Sequence, residues 1–127
     1  MKIVLDTNVL VSALLNSYGV PAQILGFVLN GTIKIVYDNR ILEEYKDVLN
    51  RKKLNINSEL INFIIDFINN EGEYKIAEPQ SIKLKDEDDQ MFYEVYRSGE
   101  IDYLITGNIK DFPKEKNIVT PREYIEL

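Results

Sequence analysis

The residues of this 127-residue chain that could do chemistry are mostly carboxylates next to apolar segments. Asp6 directly follows the apolar run Ile3-Val4-Leu5, and Asp86-Glu87-Asp88-Asp89 forms a second acidic group. The chain has no histidine and no cysteine, which excludes Ser-His-Asp and Cys-His catalysis, disulfides, and zinc held by those side chains. An enzyme built from this sequence must therefore use carboxylates, hydroxyls, amides, lysine or a bound cation.

Asp6 and Glu44 each have a structural interpretation as well as a chemical one. Asp6 or Thr7 could cap the helix that follows. On a helical wheel, Glu44 lies at the edge of the apolar stripe of its helix, where a carboxylate could point into a cleft. The alternative for Glu44 is an ordinary pair with Arg40 or Lys46 on the same helix.

The run Asp86-Glu87-Asp88-Asp89 opens a predicted helix. Acidic residues in a first turn complement the helix dipole, so one of them has a structural reason to be there. Four consecutive acids repel one another, and a divalent cation among them would relieve that repulsion. The helical wheel does not decide which acid points inward, because Asp88 lies nearer the apolar stripe than Asp89.

A third polar group, Thr106-Gly107-Asn108, follows the apolar run Tyr103-Leu104-Ile105. Thr106 and Asn108 offer a hydroxyl and an amide that could orient other groups, and Asp111 offers a further carboxylate. The alternative is a simple turn or helix start, with Phe112 anchoring the loop in the core.

Short apolar strands alternate with helices along the chain, and this pattern predicts an α/β fold. We expect a single domain over residues 1–127, with a short parallel sheet covered by helices on both faces. Asp38 and Ser58 are the predicted caps of the third and fourth helices. The predicted strands are residues 2–5, 32–37 (with Ile33, Ile35 and Tyr37 on one side), 74–77, 103–105 and 118–119.

Ligands of parallel sheets bind beyond the carboxyl ends of the strands, which is where these polar groups lie. Three or more carboxylates held close together could not all ionise without a cation. We therefore expect a metal-dependent reaction on a phosphate substrate, in which two ions could activate a water and stabilise the attacking and leaving oxygens.

With these residues identified, the sequence resembles the PIN-domain family, and specifically the compact PIN toxins of bacterial and archaeal toxin–antitoxin systems. The resemblance covers essentially the whole chain, and it includes the third acid at Asp89. The segments that carry it are Ile3-Val4-Leu5-Asp6-Thr7-Asn8-Val9-Leu10, Leu42-Glu43-Glu44-Tyr45, Asp86-Glu87-Asp88-Asp89-Gln90-Met91-Phe92, Asp102-Tyr103-Leu104-Ile105-Thr106-Gly107-Asn108 and Ile118-Val119-Thr120-Pro121-Arg122-Glu123.

The resemblance implies a three-layer α/β/α fold and a Mg²⁺- or Mn²⁺-dependent ribonuclease that hydrolyses RNA phosphodiester bonds. Asp6 and Asp89 would be metal ligands, with Asp111 or Asn108 completing the set. Glu44 would bind a second ion or position the attacking water. The implied role of Asn8 and Thr106 is to orient those carboxylates.

The resemblance also implies partners: a second copy of the chain, and an antitoxin whose basic segment can enter the acidic pocket. The helices near Leu14, Phe27 and Phe63 could supply those surfaces or simply belong to the core. Candidates for contacts with the RNA backbone are Lys110, Lys114 and Arg51 to Lys53.

Asn108 departs from the resemblance, because many relatives carry aspartate there. This favours an alternative function, in which the chain is a catalytically inactive PIN-type module that binds a protein or RNA. Two other classes of protein lack support. A phosphoacceptor receiver domain needs an acid pair after the first strand, which this chain does not have. A phosphatase of the Asp-x-Asp type needs a general acid at the position where this chain has Asn8. We expect Asp102, at the amino end of its strand, to be structural.

The net charge of −6 disfavours a protein that binds nucleic acid by charge alone. No apolar stretch approaches the roughly 18 residues of a membrane span, and the start of the chain lacks a signal-peptide pattern. The cysteine-free composition suits the cytoplasm.

Overall fold

The first apolar run of the chain forms the central strand of the sheet. In the computed structural model, which describes residues 1–127, strand β1 (Lys2–Leu5) pairs in parallel with β2 (Lys34–Tyr37) and with β4 (Tyr103–Ile105). The edge strands β3 (Glu73–Tyr74) and β5 (Ile118–Val119) complete the order β3-β2-β1-β4-β5. All four pairings are parallel, which confirms the predicted sheet.

Helices cover this sheet in a three-layer α/β/α arrangement, as expected for a PIN-like fold. Short 3-10 turns lie at Lys52–Leu54 and Ile109–Asp111. No single helix is both long and apolar enough to cross a membrane. The consecutive helices Thr7–Leu15 and Val20–Leu29 reach that length and apolarity only when they are taken together, and the angle between them is 99°. The helices are α1 (Thr7–Leu15), α2 (Val20–Leu29), α3 (Asn39–Leu49), α4 (Ser58–Glu71), α5 (Glu87–Arg97) and α6 (Pro121–Ile125).

Strand β2 corrects one expectation. The alternation over residues 32–37 predicts a strand with one buried face, but Ile35, Val36 and Tyr37 are all buried. The strand also begins at Lys34 rather than Thr32. The reason for the burial is its interior position between β1 and β3, where layers on both sides of the sheet bury successive residues.

Two other local predictions differ from the structure. Helix α4 is capped by Asn57, whose side chain accepts hydrogen bonds from the amides of Glu59 and Leu60, and not by Ser58. The predicted strand over 74–77 shortens to Glu73–Tyr74. The predicted Asp38 cap is confirmed, since its carboxylate accepts the Ile41 amide at 3.0 Å.

The chain reverses direction across the sheet between β1 and β4. It passes outward from β1 to β2 and β3, and then returns to β4 and β5 on the other side. Connections leave the carboxyl ends of β1 and β4 in opposite directions, and a crevice opens where they diverge. The register pairs Leu5 with Ile105, so the next residues along the two strands are Asp6 and Thr106.

A partly buried polar network connects α5 to the start of α3. Arg40 bridges Asp38 and Glu94, with N–O distances of 2.7 and 2.8 Å, and both acids are largely buried. Gln90 bonds Glu94 and also holds the preceding loop through the Ile82 carbonyl and the Leu84 amide. The acidic turn that opens α5 is therefore attached to a rigid frame.

Candidate active site

Asp6 lies at the carboxyl end of β1 with only 6% of its surface exposed. Its backbone amide donates to the Ile105 carbonyl at 2.9 Å, which extends the β1–β4 ladder by one residue. Asp6 occupies the N-cap position of α1, but its side chain does not cap the helix. The capping interpretation of this carboxylate is therefore wrong, because Oδ2 accepts the Thr106 hydroxyl at 2.7 Å instead.

Burial raises the pKa of Asp6 to about 6. The Thr106 hydroxyl and the nearby Thr7 amide lower this pKa, and the charges of Glu44 and Asp111 raise it further. The hydrogen bond from Thr106 offsets only part of the cost of placing a carboxylate away from water. Asp6 is therefore a buried acid whose charge lacks a full partner within the protein.

The loop after β4 is tied to the start of α1. Thr106 Oγ1 donates to Asp6 and accepts the Asn108 amide at 3.0 Å, while Asn8 Oδ1 accepts the Gly107 amide at 3.2 Å. Thr106 thus contacts a carboxylate, as expected. Asn8 makes no hydrogen bond to a carboxylate and holds the loop instead.

Asp89, and not Asp88, is the inward-facing acid of the acidic turn. Asp89 is half-buried while Asp88 is exposed. Desolvation raises the pKa of Asp89 to about 7, with further contributions from Asp6, Asp86 and Asp111. Asp6 and Asp89 are therefore close enough to repel each other, although 83 residues separate them in the sequence.

Glu44 also faces the site. It is half-buried, and burial raises its pKa; the Thr7 hydroxyl and Arg51 lower this pKa, and Asp88 and Asp47 raise it. The alternative pairing with Arg40 or Lys46 is wrong, because Arg40 binds Asp38 and Glu94 while Lys46 contacts Glu43.

The fourth polar position is divided between Asn108 and Asp111. Asn108 lines the cleft that holds Asp6, Glu44 and Asp89. Asp111 is exposed on the following 3-10 turn, yet its charge raises the pKa of both Asp6 and Asp89. Phe112 is buried and anchors this turn, as expected.

One open cleft of about 460 Å³ is lined by Asp6, Glu44, Asp89 and Asn108, and Asp111 is not part of its lining. Arg51 and Lys53 follow α3 and border the same cleft, which also contains the five acids Asp6, Glu44, Asp86, Asp88 and Asp89. Lys110 and Lys114, the other residues that the resemblance makes candidates for RNA contacts, do not line it. The cleft therefore combines a dense group of negative charges with the two positive charges of Arg51 and Lys53, which we call its positive margin.

The donors fit a hard divalent cation bound mainly by two carboxylates. Carboxylate and amide oxygens suit Mg²⁺ or Mn²⁺. Thr7 Oγ1 is the one buried side-chain polar atom without a hydrogen-bond partner, and Thr7 lines this cleft. No three acidic side chains converge closely enough to hold an ion by themselves. Asp6 and Asp89 are the candidate ligands, and waters would complete the coordination, as is usual for Mg²⁺.

Two polar residues of the cleft have no predicted role at the site. The sequence predicts Thr7 as a possible helix cap and as part of the Asp6-Thr7-Asn8 segment, and it assigns no role to Ser12. Ser12 lies four residues after Asn8 on α1, so both lie on one face of the helix. That spacing is the signal that could have identified Ser12.

The raised pKa of Asp89 predicts how stability depends on pH. Its folded-state pKa of about 7 exceeds the ordinary 3.8, so the folded protein binds more protons and its stability falls as pH rises through that window. We expect Asp89→Asn to raise the free energy of unfolding by about 1 kcal/mol near pH 8, and hardly at all near pH 3.5; partial exposure of the side chain keeps the effect small.

Urea denaturation in EDTA, repeated across this pH range, measures the difference. The matched control is Asp88→Asn, which removes a neighbouring charge from the same helical turn but at an exposed position. Equal effects of the two substitutions at every pH would contradict the assignment of Asp89 as the inward-facing acid.

Comparison with known proteins supplies one family match. The family model described as PIN domain matches residues 2–110, a range that includes Asp6, Glu44, Asp89 and Asn108 and ends one residue before Asp111. No curated protein and no solved structure matches the chain. Because the match covers well over half of the sequence, the chain belongs to the PIN-domain family.

Proposed function

We propose that the chain is a cytoplasmic endoribonuclease that depends on Mg²⁺ or Mn²⁺. PIN domains are generally nucleases and typically use divalent metal ions. The observation that carries the proposal for this chain is the approach of Asp6 to Asp89, two acids whose pKa values rise to about 6 and about 7 because burial and the charges of neighbouring acids disfavour their ionised forms. A bound cation would relieve both effects.

Three acids of the cleft and the neighbouring Thr106 have distinct roles in this proposal. A divalent ion, when bound, supplies positive charge that stabilises a phosphodiester in its transition state. Asp6 and Asp89 would hold it, and Thr106 fixes the rotamer of Asp6 through its 2.7 Å hydrogen bond. Glu44, with its raised pKa, is placed to orient the attacking water and accept its proton.

The positive charges at the margin of the cleft support the proposal that the substrate is a nucleic acid. A chain of net charge −6 needs local positive charge to attract phosphates, and Arg51 and Lys53 supply it beside the acids. RNA is the polymer that we propose, in keeping with the toxin-like sequence features.

The cleavage of a mixed single-stranded RNA by the purified protein tests the nuclease proposal. We expect cleavage with Mn²⁺ or Mg²⁺ and none in EDTA. The cleavage rate of Asp6→Asn should fall about a hundredfold or more, because losing even a residue that only orients a metal ligand can cost that much activity. Asp66→Asn, which removes an exposed acid on α4, is the matched control and should cleave at the wild-type rate.

The inactive alternative makes a different prediction in the same assay. If wild type and Asp6→Asn are equally inert with either metal across several RNAs, the binding-only module becomes the better account. The departure at Asn108 would then explain the loss of activity.

The positive margin predicts a salt-dependent effect on substrate binding. Replacing Arg51 and Lys53 together with alanine should raise KM about tenfold and lower the slope of log KM against log salt by about 1.4, since each lost contact with a single strand contributes about 0.7. The matched control removes Lys34, the first residue of β2, and Lys116, two residues before β5; both lie at the amino ends of their strands, away from the cleft. An identical change of KM and of its salt dependence in both double variants would contradict the proposal that Arg51 and Lys53 contact the phosphates of the substrate.

We further propose that the chain is a toxin that forms a homodimer and is inhibited by an antitoxin with a basic segment. Phe27 and Phe63 support a partner surface, because 41% and 56% of their surfaces are exposed, whereas Leu14 packs against the core. The acidic cleft would attract a basic segment. Light scattering of the purified protein should give the mass of a dimer, and a monomer mass at all concentrations would contradict this part of the proposal.

A further inference from the structure

A second cavity adjoins the acidic cleft. It has a volume of about 290 Å³, close to the lower limit of small-molecule sites. We call it the amide pocket. It shares three residues with the acidic cleft, so a ligand in it would touch whatever is bound there. Its main lining residues are Asn8, Ser12, Pro21, Gly107, Asn108 and Pro121.

The amide pocket contains no charged side chain, in contrast to the cleft beside it. A phosphate would find no positive charge there, and a metal ion would find no carboxylate. Pro21 and Pro121 contribute apolar rings that could pack against a flat surface. The chemistry of the pocket therefore suits a neutral, planar group with polar edges.

Free hydrogen-bonding groups face such a ligand. Asn8 uses its Oδ1 to accept the Gly107 amide, which fixes the side chain and leaves both Nδ2 protons without a partner in the protein. Ser12 and Asn108 make no side-chain hydrogen bond within the protein. The shared wall thus presents a hydroxyl and two carboxamides, which together offer both donors and acceptors.

We propose that the amide pocket binds a nucleobase next to the phosphodiester held in the acidic cleft, and that Ser12 and Gly107 help to select that base. The inference rests on the proposed function. A carboxamide can pair with the edge of a base, and bases offer the matching donors and acceptors. Bases in a duplex are stacked and paired, so the substrate that can enter the pocket is single-stranded RNA.

Two substitutions alter the pocket while sparing the acids. Ser12→Ala removes one hydroxyl from an exposed position of α1, where alanine favours the helix. Gly107→Ala adds a methyl group whose carbon would lie 3.4 Å from Asn8 Oδ1, an ordinary contact that narrows the pocket. The matched controls are Ser17→Ala, at an exposed position outside the pocket, and Gly26→Ala, whose added carbon meets nothing within 4 Å.

Cleavage of an RNA series with one abasic position tests the proposal. We expect base removal at one position beside the cleaved bond to lower kcat/KM about tenfold for the wild type and the controls. In Ser12→Ala and Gly107→Ala the same removal should cost only about threefold, because part of the base contact is already lost. An enzyme that cleaves every abasic RNA at the rate of the intact RNA would overturn the amide pocket but leave the nuclease proposal standing.

A binding measurement separates this inference from the proposed activity. Nucleosides titrated into the isotope-labelled protein should shift the amide signals of Gly107 and Asn108 and the side-chain signal of Asn8, while ribose should not. Gly107→Ala should weaken the binding, and Gly26→Ala should not. Shifts without RNA cleavage would retain the pocket and reject the nuclease, whereas the absence of shifts at these residues with every nucleoside would overturn the pocket.

Discussion

A carboxylate at the end of an interior strand must be hydrogen-bonded, protonated or matched by positive charge, and Asp6 is in this position. The β1–β4 register places Thr106 beside it, and the Thr106 hydroxyl donates a 2.7 Å hydrogen bond to the carboxylate. That bond also starts the chain of contacts that ties Gly107 and Asn108 to α1. The geometry of the cleft and of the amide pocket beside it therefore depends on this single pairing.

Electrostatics then divides the surface around Asp6 into distinct regions. Asp89 approaches from α5 and Glu44 from α3, and burial and repulsion raise the pKa of each. Arg51 and Lys53 border the same cleft, and Asn8, Ser12 and Asn108 line both this cleft and an uncharged pocket. Acidic, basic and neutral amide surfaces thus meet within one crevice, which suits a polymer with phosphates and bases in alternation.

Rigid contacts beneath the crevice hold the acids together against their repulsion. Tyr45 on α3 donates its hydroxyl to the Leu5 carbonyl and packs against Phe92 on α5, with ring centres 6.4 Å apart. The Arg40–Glu94–Gln90 network fixes the loop that leads into the acidic turn. Apolar packing and satisfied hydrogen bonds elsewhere thereby offset the free-energy cost of the unfavourable charges in the cleft, as is common at functional sites.

The sequence by itself determined the order of the strands, most of the helices, the positions of Asp6 and Thr106 at strand ends and that of Glu44 at the edge of an apolar helix stripe, because apolar periodicity and strand ends are local properties. The helical wheel did not determine the inner acid of Asp86–Asp89: only the family resemblance implied Asp89, and the packing of α5 is what turns Asp89 inward. The sequence also missed the full burial of Val36 and the Asn57 cap, and it expected Asn8 to touch a carboxylate. Only the tertiary structure decided these points, since the rotation of a helix and the burial of a strand face depend on contacts between residues far apart in the chain.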